Sequence, residues 1–290
     1  MIFWYNLSTL IWGVYKLSNL RIVEFNSTRE HGQMNKNFYP KDMDGAEKTR
    51  LMHEHKQALM GDMDLSYKDI FMPIQKNSKN PDKYEDGLCY TLTPEDILTY
   101  DDLYDYDVYA DIVKLTPETR NVAIAYPAAD CAVVKAVNMK TNEVTLAHCG
   151  GEYIDRYLPM QTIDALGGAE KDIRVYVSPF AYSLFYENAT KLVWANNPRV
   201  WEQCKEYDEH NGITSVKIDV YKALRRQLLE RRIPEENIYM SPYNTSECDL
   251  FYSNSRGYQD ESFNGRFLAG IALVDNDHKI ENKPHIKVLK

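Results

Sequence analysis

Cysteine is scarce in this chain: five in 290 residues, an odd number with no pair at CxxC spacing, which leaves no disulfide framework to read. Sparse, unpaired thiols suit a reducing compartment, so a cytoplasmic setting is expected. Positive charge is in deficit too. The 34 Lys and Arg stand against 43 Asp and Glu, a net charge of −9, and no basic stretch offsets it. The densest basic clusters, Arg225-Arg226 and Arg231-Arg232, read as a solvated helix face, and no polymeric DNA or RNA partner is expected. A membrane span is missing as well. The apolar, aromatic stretch from Met1 to Leu20 is broken by Asn6, Ser8 and Thr9 and carries Lys16. It has neither a basic leader region nor a small-residue cleavage site, so it reads as a first strand or two and no membrane partner is expected. Repeats and low-complexity linkers are also lacking.

What is present is a mixed α and β pattern with ordinary globular composition, 44% apolar and 27% charged. Strands are expected at 20–25, 70–75, 122–126, 173–177, 238–240, 250–253 and 266–274. Helices are expected over 46–60, with Leu51, Met52, His55 and Leu59 on one face and Gly61 as the stop, and over 154–166, ended by Gly167-Gly168. A third covers 199–207. A fourth is capped by Asp219, carries the apolar stripe Val220, Leu224 and Leu228, and closes by Pro234. Residues 77–86 read as a polar loop, and the acidic, tyrosine-rich run 99–111 as an exposed edge or loop. The pattern, with no linker to divide it, predicts one domain over 1–290 of mixed α and β content.

His148 follows Cys131 by 17 positions, and the stretch between them reads as a β-hairpin. Val133, Val134, Ala136 and Val137 run out, Asn138 to Asn142 turns, and Val144, Leu146 and Ala147 run back. With the turn centred on Met139-Lys140, Cys131 sits opposite His148 on the same face of the sheet, roughly 5 Å apart at Cβ. A thiol beside an imidazole serves as an activated nucleophile, as half of a metal site, or as a structural pair in the core.

Both residues lie in strings that resemble the laccase-domain or multicopper polyphenol oxidase family, YfiH-like purine nucleoside phosphorylases. Ala129-Asp130-Cys131 matches the family's ADC motif, and His148-Cys149-Gly150-Gly151-Glu152 keeps the His and first Gly of its HAGWRG motif. Asn26-Ser27-Thr28-Arg29 resembles FSTR, Gly32 the Gly that follows it, and Thr49-Arg50 an Asn-Arg pair. Ser178-Pro179 with Phe185-Tyr186-Glu187, the string from Phe251 to Arg256, and Gly265-Arg266 with Ile271-Ala272-Leu273 resemble GP…YEV, FYSxRR and the closing GR strand. The ordered set runs from about residue 21 to 275.

The resemblance implies an α+β fold with mixed β-sheets flanked by helices, of the CNF/YfiH-like cysteine-hydrolase type, similar to the deamidase domain of the cytotoxic necrotizing factor toxins. It implies phosphorolysis of adenosine or inosine, with orthophosphate as co-substrate and adenosine deamination in the same pocket. It implies Arg29 and Arg50 as phosphate contacts, and Cys131 and His148 as zinc ligands with a third His from a QVHG string. Here that string is Gln75-Lys76-Asn77-Ser78, which puts Asn77 where the His belongs, and no His occurs between His55 and His148. Two strong ligands make a weak zinc site. The alternatives are a metal-free hydrolase or deamidase, with Cys131 as nucleophile, His148 as base and Asn77 orienting it, or a retired enzyme that only binds. Copper oxidation of phenols fits least, since the chain has seven His and its one HxH, His53-Glu54-His55, lies on a helix where the two side chains diverge.

Overall fold

A computed structural model of the chain describes residues 2–7, 10–16, 20–35, 38–75, 87–99 and 108–278. Its first sheet runs β1 (Ile2–Leu7), β2 (Leu10–Lys16), β3 (Leu20–Ser27), β15 (Phe267–Asp275), β7 (Val122–Ala128), β4 (Ile70–Phe71). The second runs β14 (Ile238–Met240), β10 (Ile173–Val177), β8 (Ala132–Asn138), β9 (Glu143–Cys149), β6 (Ile112–Leu115), β5 (Cys89–Thr91). A small third sheet orders β11 (Ser183–Tyr186), β13 (Ile213–Asp219) and β12 (Lys205–His210). The class is α+β, mixed sheets flanked by helices, as expected.

The strand period of two explains the layering. Along β7, Val122, Ile124, Tyr126 and Ala128 face the second sheet, meeting Val113, Val133, Val137 and Leu146 in one buried cluster. Ala123 and Ala125 point the other way, into a cluster with Leu59 and Met60 of α1 (Gly45–Gly61). Helix α1 begins where Asp44 accepts hydrogen bonds from the N–H of Ala46 (2.8 Å) and Glu47 (3.2 Å). The outer face of the second sheet is covered by α3 (Gly151–Asp155), α4 (Leu158–Asp164), α6 (Val220–Glu230) and the third sheet, through Ile154, Leu158, Leu224 and Ile218. The sandwich interior holds an ion pair, too. The Lys135 ammonium of β8, fully buried, pairs with Glu24 of β3 and donates to Asn26 Oδ1 at 2.9 Å.

Four expectations change. The helix expected over 154–166 is two short ones, because Tyr157 sits in the left-handed region (φ 63°) and Pro159 cannot donate at the start of α4. The helix expected over 199–207 stops at α5 (Pro198–Trp201) and gives way to the β12–β13 hairpin, turned at Asn211 (φ 51°) and Gly212 (φ 74°). Residues 250–253 form no strand but lead into α7 (Asn254–Gly257), capped where Ser253 Oγ accepts from Arg256 N at 3.2 Å. The strand expected over 70–75 shrinks to β4, with an isolated bridge from Ile74 to Tyr109. The apolar stripe of α6 is buried as expected, its Asp219 cap accepting from Lys222 N at 2.8 Å. A short α2 (Pro94–Thr99) completes the helices among the described residues, which leave out 76–86 and 100–107.

Candidate functional site

The hairpin that carries Cys131 and His148 forms, with its register two residues away from the expected one. His148 faces Val133, Ala132 faces Cys149, and Cys131, just before β8, runs on toward Gly150. The cause lies in the turn. Asn138 Oδ1 accepts from the N–H of Lys140 (3.0 Å) and Thr141 (3.2 Å), and Asn142 takes φ 62°, so four residues, 139–142, make the loop. A shift of two keeps every side chain on its face. Cys131 and His148 therefore share a face as diagonal rather than direct neighbours, a relation that spans roughly 7–8 Å. A Cβ on Gly150 would lie 3.2 Å from Cys131 Sγ, so glycine there leaves the thiol its room.

Both residues line one cavity of about 940 Å³. One wall comes from β11 and Trp194, the other from α7 and Tyr258 behind it, and Arg266 at the head of β15 lines it as well. Gln75 holds His148 at two points. Its Nε2 donates to the His148 carbonyl at 2.8 Å, and its Oε1 accepts from His148 Nδ1 at 2.6 Å. With Nδ1 carrying the proton, Nε2 presents a lone pair. Burial, helped by nearby Arg266, lowers the imidazole pKa to about 4, so the ring is neutral at pH 7. Burial pushes the Cys131 thiol up to about 11, with Asp130 adding to the rise and Arg266 opposing it. Among the described residues no hydrogen bond joins this thiol to the imidazole.

Asp130 ties the Cys131 segment to the opposite wall. Its Oδ1 accepts from Thr245 Oγ1 (2.8 Å) and Ser253 Oγ (2.7 Å), and its Oδ2 from Ser255 N (2.6 Å). Arg256, one residue on, stacks on Phe263 at 3.5 Å and pairs with Asp249 at 2.7 Å. Arg266 stacks on Phe38 at 4.1 Å and donates to the Gly265 carbonyl at 2.7 Å, and burial lowers its pKa.

Of the residues nominated from sequence, Cys131 and His148 meet at the cavity, while Arg29 and Arg50 lie off it. Arg29 bridges the carbonyls of Asp249 and Ser262 (3.1 Å each) and also stacks on Phe263, at 4.0 Å, which makes it a clamp on the 249–263 segment. Arg50 is exposed on α1 and paired with Glu47 and Glu54. Asn77 falls outside the described residues. Four contributors, Gln75, Asp130, Arg256 and Arg266, carry no site role in the sequence reading, although all four fall within strings quoted for the resemblance.

The family described as multi-copper polyphenol oxidoreductase laccase matches residues 97–274. The chain belongs to this laccase family. It is 27% identical over 199 residues to a purine nucleoside phosphorylase of Staphylococcus aureus (strain COL), covering 68% of this chain and 73% of that protein. Its fold is similar to that of the YfiH protein of Bacillus licheniformis, at a TM-score of 0.62 and 16% identity over 89% of this chain and 97% of that one. It is equally similar to YlmD of Geobacillus stearothermophilus, at a TM-score of 0.63 and 19% identity over the same shares, 89% and 97%. The family's name points to copper and the resemblance to zinc, and among the described residues the donors fit neither. Among the described residues no three of His, Cys, Asp or Glu come together, and Cys131 with His148 falls short of a protein-held zinc or copper centre. Among the described residues no helix is long and apolar enough to cross a membrane.

Proposed function

We propose that the cavity binds a purine nucleoside together with orthophosphate and catalyses phosphorolysis. The observation that carries this is the meeting of Cys131, His148, Arg256 and Arg266 around one cavity of about 940 Å³, within the size range of small-molecule sites. The activity named for the staphylococcal relative supports the same substrate class.

In phosphorolysis a phosphate oxygen attacks C1′ of the ribose, the C1′–N9 bond breaks, and its electron pair leaves on the base, which takes up a proton. Arg266, which no carboxylate pairs among the described residues, holds the phosphate, because a guanidinium offers planar, paired donors to two oxygens. His148, neutral and held at Nδ1 by Gln75, offers Nε2 as acceptor to a ribose or phosphate hydroxyl. Cys131 keeps its proton at neutral pH and serves as a weak donor toward the base. A metal-free cysteine hydrolase has less support, since a nucleophilic thiol needs a base within hydrogen-bond reach and a depressed pKa.

The test is to incubate the purified chain with inosine or adenosine, with and without orthophosphate, and separate the products. Free base is expected only with phosphate and is lost in Cys131→Ala. Base release without phosphate would make the reaction a hydrolysis, inosine appearing from adenosine would add deamination, and no turnover of either nucleoside would end the proposal.

A further inference from the structure

Seven large hydrophobic side chains stand exposed among the described residues, and two of them, Phe185 (65%) and Tyr258 (85%), line the cavity. They come from different walls. Phe185 lies on β11 with Lys217 opposite, on the strand face turned away from Leu184 and Tyr186, which pack toward the core. Tyr258 follows α7, on the segment that Asp130 and the Arg29–Phe263–Arg256 stack hold in place. Neither ring belongs to a core cluster, so folding gives no reason for either to be aromatic. Large apolar surface left open on two walls of one cavity marks a place that a ligand covers. Gln259, next to Tyr258 in the chain, also lines the cavity and adds an amide that can both donate and accept.

From this we infer that Phe185 and Tyr258 are the two jaws of a stacking site for a planar nucleobase. Each ring covers one π-face of the base while Gln259 reads its edge. The identity of the base as a purine rests on the phosphorolysis reading, whereas the stacking geometry does not. Every base has a π-face, so the jaws set affinity for flat heteroaromatic rings and leave choice among them to the edge contact.

Trp194 lines the same cavity, so its fluorescence reports occupancy without turnover. Inosine, hypoxanthine and ribose 1-phosphate are titrated separately into the wild-type chain, Phe185→Ala, Tyr258→Ala and the control Tyr207→Ala, whose side chain is exposed outside the cavity. Each cavity variant should bind inosine and hypoxanthine about tenfold more weakly and ribose 1-phosphate as the wild type does, with Phe185→Tyr and Tyr258→Phe restoring purine affinity. In steady-state assays the change should fall on KM more than on kcat. A wild type that binds hypoxanthine without splitting nucleosides, and loses it in both variants, would sink phosphorolysis and keep the jaws. Undiminished purine binding in the variants would overturn the inference, as would loss of ribose 1-phosphate alone or a wild type that binds no purine.

Discussion

Arg50 and Arg266 bear the same charged group in opposite surroundings. Arg50 stands on the exposed face of α1 with Glu47 at 2.7 Å and Glu54 beside it, and these carboxylates push its pKa up. Arg266 lines a cavity next to Cys131 and Asp130, burial pulls its pKa down, and among the described residues no carboxylate is paired with it. Both sit in strings that resemble one family, so a motif alone ranks them together. The surroundings separate them: an arginine already neutralised by neighbours has little to offer a phosphate, and a desolvated one without a counter-ion has a great deal.

The contrast is sharpest in Arg266→Ala, which should lower kcat/KM for phosphate about 100-fold, as loss of one preorganised cationic donor does. If turnover and its phosphate dependence survive, Arg266 is no anion contact. Gln75→Leu tests the same cavity without touching a charge. Releasing Nδ1 of His148 should cost about tenfold in kcat with KM for phosphate nearly unmoved, and a loss confined to phosphate affinity would contradict the orienting role.

Next comes acid stability. His31 resembles His148 in having its pKa lowered to about 4 mainly by burial, but it lies off the cavity and accepts from Thr28 N at Nδ1 (3.1 Å). Between an unfolded value near 6.5 and a folded value near 4, the unfolded chain binds more protons. Stability should therefore fall as pH drops below about 6.5 and level off near 4. His31→Gln should flatten part of that slope in urea titrations and spare turnover, and a slope identical to wild type would refute the assignment. Smallest of all, Arg50→Ala should leave both the urea midpoint and the kinetics where they are. A measurable loss of phosphate affinity there would break the comparison outright.

Local patterns made much of the frame legible. The apolar face of α1, the stripe of α6 and the hairpin around 139–142 each announce themselves in spacing that a single element enforces. The hairpin β12–β13 did not, although Asn211-Gly212 is a strong turn signal, because Lys205, Glu206, Asp208 and Glu209 give β12 no apolar alternation to read. The register error had a similar source: the placement of the turn depends on an Asn138 side chain bonding its own loop, which hydrophobic period does not encode. The cavity was half legible. Cys131 and His148 lie on one hairpin and could be paired from spacing, whereas Gln75, Arg256 and Arg266 come from segments whose meeting is decided by the whole sandwich. Trp194 is a further case. The resembled motif has Trp where this chain has Gly151, and a Cβ on Gly151 would lie 2.5 Å from the Trp194 ring, so an indole from a distant loop occupies that place.

The Lys135–Glu24 pair has a mechanical meaning for the cavity. It joins the strand that follows Cys131 to the strand beside β15, whose head bears Arg266. Two greasy sheets on their own could glide over one another by a residue pair at little loss, but here any glide would strand an ammonium and a carboxylate apart in hydrocarbon, at several kcal/mol. The pair acts as a dowel through the sandwich, and the thiol on one sheet and the guanidinium on the other keep their alignment because of a peg that neither of them touches.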